Sequence, residues 1–474
     1  MSYLTVIGLE VHNELKTNTK IFCSCKNEFS LEPNTNCCPT CLGMPGTLPL
    51  LNKQAVEYAI KAGLALNCDI NTVTQWDRKN YYYPDLPKAY QLSQLYHPLC
   101  LGGYLEINTE NGIKKIRINH IHLEEDAGKL VHSEFSGSLV DYNRGGVPLI
   151  EIVTEPDLSS AEETLTFLEN LKALLKYIGV SDVKMEQGSL RCDVNISLHK
   201  AGEPLGTRTE MKNLASFKAV QRAINYEVKR QTEVLESGGK IVQETRRWDD
   251  EQSRSFTMRT KENAQDYRYF PDPDLVPVNV SREFVNNVRK SLPLLPKARA
   301  KKYMEELNLP QYDAEILTSD RVIADFFDKC VQEYNNPKMI SNWIMTEVMR
   351  KLKEHDSDEI VLPIKAENLA KMLKLYADNV INQNAAKTMF EYMWDKDNQA
   401  DPQDLIKKLN LGQISDEGEL EKILLEIIKN NPAAADDLRG GNKKATAFFV
   451  GQAMKATKGK ANPKTVNELL EKLL

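Results

Sequence analysis

Long apolar runs are missing from this chain. Nowhere in its 474 residues do apolar positions continue for the ~18 in a row that a spanning helix needs, so no membrane span is expected. The opening residues, MSYLTVIGLEVH, have no basic stretch followed by an apolar core and a cleavage site, so no secretory leader is expected and the reading is cytoplasmic. An excess of one charge is missing too. Lys and Arg number 61 against 67 Asp and Glu, and the formal net charge is −6, which excludes wholesale coating of nucleic acid but leaves room for a local basic face. No G-x-x-x-x-G-K-S/T run occurs, which excludes a P-loop nucleotide site. Cysteine is sparse at nine, yet five fall between Cys23 and Cys41, which argues for a metal site in a reducing compartment and against a disulfide framework. With 41% hydrophobic and 27% charged residues the chain is a soluble globular protein, too long for one core, so about two to four domains are expected.

What is present gathers in strand-like stretches. In Asp141–Ile152, DYNRGGVPLIEI, a tight loop at Asn143–Gly146 feeds a short strand over Val147–Val153. Glu151 stands among leucine, isoleucine and valine. If that strand is buried its carboxylate must be paired, protonated or bound to a cation; on an edge strand it would point to solvent. Residues 4–15 alternate so that Glu10, His12 and Glu14 share one face, where neighbouring i and i+2 side chains could reach one ion or phosphate, or simply be solvated. After a strand over Ile113–Asn119, the run NHIHLEEDAG places His120, His122, Glu124 and Asp126 on one parity and Glu125 on the other. A carboxylate-rich pocket facing Glu10 and His12 would need a cation, and oxygen-rich sets with little histidine suit magnesium; a solvated acidic turn is the alternative. GSLRCDVNIS alternates again, with Ser189, Arg191, Asp193 and Asn195 on one face, and TRTEMKNL adds Glu210, Lys212 and Asn213.

The cysteines form C-x-C at Cys23 and Cys25 and C-x-x-C at Cys38 and Cys41, with Cys37 spare. Four thiolates satisfy tetrahedral zinc and leave no open position, so the metal would pin a loop; free thiols or a redox pair at Cys38 and Cys41 are the alternatives. The run DRKNYYYPDLPKAYQLSQ over Asp77–Gln94 carries four tyrosines beside charged residues and prolines, a binding surface for a polar aromatic or phosphate ligand or else a packing loop. Helices are expected over Asn52–Asn67, Ser160–Gly179 and Ser216–Ser237, a hairpin over Gln243–Thr260, and a rigid surface loop over Lys261–Pro277. Past Pro293 and Pro296 the chain reads as helical throughout. Its end carries Lys443, Lys444, Lys455, Lys458 and Lys460, a basic patch suited to RNA or DNA backbone, or a solvated lysine face.

The stretches GLEVH, HLEEDAGK, LVDYNRGGVPLIEI, GSLRCDVNIS and GNKKATAFFVGQAMKATKGKANP, spread over essentially the whole chain, resemble the B-subunit family of bacterial glutamyl/aspartyl-tRNA amidotransferases of the GatCAB type. The resemblance implies an α+β chain. Residues 1–292 would form an antiparallel-sheet cradle, the kinase domain, with a zinc knuckle; 293–407 a helical domain; and 408–474 a small helical tail that contacts tRNA. It implies a heterotrimer in which the A subunit, an amidase, releases ammonia from glutamine and the small C subunit wraps both partners. The B subunit would use ATP and magnesium to phosphorylate glutamate or aspartate esterified to tRNA-Gln or tRNA-Asn. Carried over, the magnesium ligands are His12, Glu125 and Glu151, with Glu10 and Glu124 close by. Lys79, Tyr81, Tyr82, Ser189, Arg191 and Lys212 fall to the nucleotide pocket, and Lys79, Asp193 and Glu210 to the catalytic set. The zinc set is Cys23, Cys25, Cys38 and Cys41. Parity favours Glu124 where the family pattern favours Glu125; a bulge at the EED run would reconcile them. The rival reading is a noncatalytic zinc-containing scaffold that positions tRNA.

Overall fold

A computed structural model of the chain describes residues 3–29, 32–132, 137–260, 264–354, 360–412, 417–439, 443–457 and 460–473. The chain divides into two compact units, Met1–Leu295 and Pro296–Leu474.

The first unit is α+β and is organised on a ten-stranded sheet. Across it run Arg254–Thr260, Glu244–Asp249, Thr209–Lys212, Leu190–Lys200, Tyr3–Glu14, Pro148–Thr154, Gly112–Glu125, Cys100–Leu101 and Asp69–Ile70, while Tyr104–Thr109 pairs with the first half of Gly112–Glu125. The pairing is antiparallel, as expected, except between Thr209–Lys212 and Glu244–Asp249, which are parallel. A parallel pair cannot be joined by a hairpin, and here the crossover is the helix Phe217–Glu236.

Alternation sorts the side chains. Leu9 and Val11, Ile121 and Leu123, Ile150 and Ile152, Cys192, Val194 and Ile196, and Met211 point to one face and are buried. Helices Lys53–Ala65, Ala161–Tyr177 and Phe217–Glu236 belong to the same core. The Ala161–Tyr177 helix starts where Ser160 Oγ accepts from the Glu163 amide, carries Glu162 and Glu163 in its first turn and Lys176 in its last, and stops before Gly179 at φ +72°. It buries Phe167 and Leu171 completely, each side chain contributing about 1.5–3 kcal/mol.

Three segments differ from the sequence reading. The stretches read as 113–119 and 119–128 are one strand, Gly112–Glu125, whose alternation shifts by one residue at a bulge at Asn119: Ile116 and Ile118 are buried before it and Ile121 and Leu123 after it. Within the tyrosine-rich segment, Asp77–Asn80 and Tyr90–Ser93 pair as strands. Phe270–Pro271, in the segment read as a surface loop, adds to them opposite Arg78 and Asp77. Arg78 locks this small sheet, 2.5 Å from Asp272 and 3.0 Å from Asp274.

The second unit is helical from Pro296–Leu307 to Pro463–Leu473. One core gathers Tyr303, Phe327, Trp343, Phe390 and Trp394; another gathers Leu420, Leu424, Phe449 and Leu470. Among the described residues no helix is long and apolar enough to cross a membrane.

Candidate active site

The face of the sheet opposite the core is polar across five adjacent strands. Register puts His12 opposite both Glu151 and Arg191, Glu151 opposite His122, Glu10 opposite Asp193, and Asn195 opposite Glu210. Two carboxylate groups result. In the first, ligating atoms of His12, Glu124 and Glu151 lie within 4.8 Å of one another. His12 Nε2 is 3.2 Å from Glu151 Oε2 and 3.6 Å from Glu124 Oε1. His122 Nε2 approaches the same Glu151 oxygen at 3.4 Å. In the second, Glu10, Asp193 and Glu210 are equally close, but Lys212 already sits among them, paired to Asp193 and 3.2 Å from Glu210. Asn195 Nδ2 donates to Glu10 at 3.0 Å.

Glu125 is not part of either group. The pairing of Gly112–Glu125 with Pro148–Thr154 is regular from Glu125 back to His120, without a bulge at the EED run. Strict alternation therefore turns Glu124 toward His12 and Glu125 to the other side. There Glu125 is paired with Lys88, whose Nζ lies 2.6 Å from Oε2, and it accepts from the Leu92 amide at 2.9 Å. The structure thus corrects the placement of Glu125 beside His12 and Glu151: Glu124 is the carboxylate brought there.

Charges in the first group are strongly coupled. Burial favours a neutral His12 ring, but Glu151 and Glu124 outweigh it and push its pKa up to about 9. Burial would raise Glu151, yet His122, His12 and Lys79 hold its carboxyl well below the usual range. Burial, then Glu151 and Glu210, raise Glu10 above the ordinary carboxylate value. Lys79 comes from the small sheet. Its ammonium rests 5.0 Å from the Tyr267 ring and 5.9 Å from the Tyr81 ring and feels Glu124 and Glu151. Tyr267 and Tyr269, 6.1 Å apart, complete this aromatic wall.

The remaining expected residues are placed unevenly. Arg191 is engaged by Asp126 at 2.5 Å, with Arg144 3.4 Å from the same oxygen. Ser189 is buried and its hydroxyl is used by the Lys184 backbone, so it closes a turn and does not face the carboxylates. Tyr82 is 84% exposed and stands apart from Tyr81. Sequence reasoning put His122 on the pocket face without giving it a role, and missed Tyr267 and Tyr269 as site residues. The signals were the shared parity of His122 with Glu124 and the i, i+2 tyrosines of DYRYF.

Residues 5–286 match the family model described as the GatB/GatE catalytic domain, and residues 325–474 match the model described as the GatB domain. The chain belongs to the GatB/GatE family. Curated relatives are named as the B subunit of aspartyl/glutamyl-tRNA(Asn/Gln) amidotransferase. That of Caldanaerobacter subterraneus subsp. tengcongensis is 54% identical over 475 residues, covering 100% of both chains. That of Persephonella marina is 52% identical over 476 residues with the same coverage, and that of Lachnoclostridium phytofermentans is 53% identical over 474 residues, covering 100% of this chain and 99% of the relative.

In this GatB-family chain the donor sets fit two kinds of metal. Two carboxylates and one imidazole make an oxygen-rich set suited to a hard divalent cation. The sulfurs of Cys23, Cys25, Cys38 and Cys41 lie within 4.8 Å of one another, a four-thiolate set suited to structural zinc. Cys37 turns away and donates to the Asn34 carbonyl at 3.4 Å. The Cys23 thiol, then the Cys38 amide and Lys20, lower Cys41 to about 5, against burial. Lys20 is fully buried, with Nζ 3.8 Å from Cys41 Sγ. Gly146, at φ +83°, lets the 141–147 loop run close past both: its carbonyl accepts from Ile21, and a Cβ there would stand 3.6 Å from the Cys41 and Lys20 side chains. A cavity of about 70 Å³ is lined by Cys23, Cys41, Lys20, Lys88 and Glu125.

Of the tail lysines, Lys455 is exposed in the last turn of helix Lys443–Ala456 and Lys460 is half-buried. Lys458 and the side chains of Lys443 and Lys444 lie outside the described residues.

Proposed function

We propose that this chain is the B subunit of an aspartyl/glutamyl-tRNA(Asn/Gln) amidotransferase. It activates the side-chain carboxylate of glutamate or aspartate esterified to tRNA-Gln or tRNA-Asn by phosphorylation, and ammonia then replaces the phosphate to form the amide. The observation that carries this reading is the half-buried His12, Glu124 and Glu151 group with Lys79 nearby, inside the segment that matches the family's catalytic domain. Phosphorylation is the chemical necessity. A free carboxylate would have to expel oxide to accept ammonia, whereas an acyl phosphate expels phosphate. ATP, when bound, supplies the phosphoryl group, and magnesium neutralises charge on its oxygens.

The chain's own residues divide the work. Glu124, Glu151 and His12 hold the cation, with Glu10 beside them. Lys79, fixed by Tyr81 and Tyr267, presents positive charge over that group. Lys212, with Asp193 and Glu210, offers a second positive charge on the same face, and Arg191 flanks it; Tyr82 lies at the exposed rim. Ser189 contributes by shaping the turn into the Arg191 strand. Zinc on the four thiolates pins the 20–45 segment. Residues 1–292 act as the kinase cradle, 293–407 form a helical domain, and 408–474 act as the tRNA-contacting tail through Lys443, Lys444, Lys455, Lys458 and Lys460. Ammonia comes from an amidase partner, since no amidase Ser–Lys signature stands in this sequence. A small third chain completes the heterotrimer.

The test is reconstitution with the amidase and the small third chain, assayed for amide formation on each mischarged tRNA. The expected result is ATP-dependent amide formation that Glu151→Gln abolishes while glutamine hydrolysis persists. Full amide formation by the variant would refute the reading and favour a scaffold.

A further inference from the structure

Two imidazoles face Glu124 and Glu151, and they are not equivalent. His12 lies close enough to both carboxylates to share one ion with them. His122 stands on the Gly112–Glu125 strand, two residues before Glu124 and directly across from Glu151. Its side chain is 9% exposed, with Nε2 3.4 Å from Glu151 Oε2 and 3.7 Å from Glu124 Oε2. Its other ring nitrogen, Nδ1, is buried and has no hydrogen-bond partner among the described residues. The ring stacks on His120 at 5.2 Å and 24°, and His120 is itself tied to the Asn119 side-chain oxygen at 2.7 Å.

We propose that His122 is a positioning residue: its Nε2–H donates to Glu151 and fixes the carboxylate that takes the cation, while His122 stays off the ion. Two geometric facts carry this. Nε2 faces carboxylate oxygens, so a bare lone pair there would meet acceptors, whereas the neutral ring with its proton on Nε2 meets them favourably and puts no N–H at Nδ1. The tautomer that would free Nε2 for a metal puts its N–H at buried Nδ1, where no acceptor stands, and an unmatched buried donor is costly. Ligating imidazoles ordinarily donate their far N–H to a partner, which His122 lacks; ligating carboxylates are ordinarily held by outer hydrogen bonds, which is the part His122 fills. Stacking on His120 keeps the ring from turning away.

This rests on the proposed cation site. The zinc-loaded full chain is titrated with manganese, and bound manganese is read by pulsed EPR for coupled imidazole nitrogen, in wild type, His122→Gln, His122→Phe and His12→Gln. One coupled imidazole is expected in wild type, retained in both His122 variants and lost in His12→Gln. Affinity should fall about 10- to 100-fold in His122→Phe, and glutamine, which keeps an N–H donor, should recover most of it. Two coupled imidazoles in wild type, or loss of one in His122→Gln, would make His122 a ligand and overturn the proposal; so would unchanged affinity in His122→Phe. If the phenylalanine variant does not fold, the nitrogen count in wild type and His122→Gln still decides. No manganese on the wild-type site would refute the cation reading itself, a result distinct from normal binding by the variants.

Discussion

Glu151→Gln removes one charge from the first carboxylate group and little else, and His12 supplies the scale of the effect. Its lift from 6.5 to about 9 corresponds to about 3 kcal/mol in favour of a single positive charge, net of burial, with Glu151 ahead of Glu124 among its acidic neighbours. A divalent cation in the same place carries twice the charge. Losing Glu151 should therefore cost about 2–4 kcal/mol of cation binding, or roughly 30- to 1,000-fold in affinity. The glutamine is nearly isosteric, so the core under Ile150 and Ile152 should be unaffected. Calorimetric titration of the full chain with manganese reads the affinity, and thermal unfolding reads the fold. Affinity within about threefold of wild type would refute the reasoning. The pH dependence follows with its sign. Folded, cation-free His12 keeps its proton up to about 9, against 6.5 unfolded. The stability this contributes is complete below 6.5 and is lost as pH rises through about 9. A cation that ligates His12 must displace that proton, so affinity should climb about tenfold per pH unit toward 9 and then level.

Glu124→Gln should weaken manganese binding on the same scale as Glu151→Gln, whereas Glu125→Gln should leave it nearly intact; the reverse ranking would restore Glu125 as the ligand. Lys88→Met strands the buried Glu125 carboxylate without its partner, and a loss of about 3–5 kcal/mol is expected from the urea unfolding of the first unit. Cys38→Ser should lower zinc content below the about one equivalent expected by metal analysis and make the 20–45 segment more open to protease, without changing manganese affinity. Neutralising Lys455 and Lys460 should reduce the salt dependence of tRNA binding by roughly one unit for each phosphate no longer neutralised, and an unchanged slope would place both lysines in solvent.

Strand alternation made most of the site readable in advance. Glu10, His12, Glu124, Asp193 and Asn195 fell on one face because a period of two is local and survives folding. The same arithmetic favoured Glu124 over Glu125, and the regular register at Glu125 is what the parity argument required. The thiolates were readable because their spacing is short. Other features were hidden because they depend on distant pairings. Lys88 meets Glu125 from 37 positions away, and Tyr267 reaches Lys79 only because Phe270–Pro271 pairs with Asp77–Arg78. Ser189 looked like a pocket residue by parity, but its hydroxyl had a nearer use in the turn at Lys184.

The split between Glu124 and Glu125 restricts how this chain can vary. Two consecutive carboxylates serve opposite sides of a sheet one residue thick, so their roles are separated by the pleat alone. A single insertion or deletion between His120 and Glu125 would exchange the faces. Leucine and isoleucine would be set against His12, and His120, His122 and Glu124 would be driven into the apolar core. Length changes are tolerable at the hairpin turn that begins the strand, where Gly112 closes onto Thr109, and at Asn119, where a bulge already absorbs one residue. The strand can lengthen outward from its turn, but its last six residues, from His120 to Glu125, behave as a fixed reading frame.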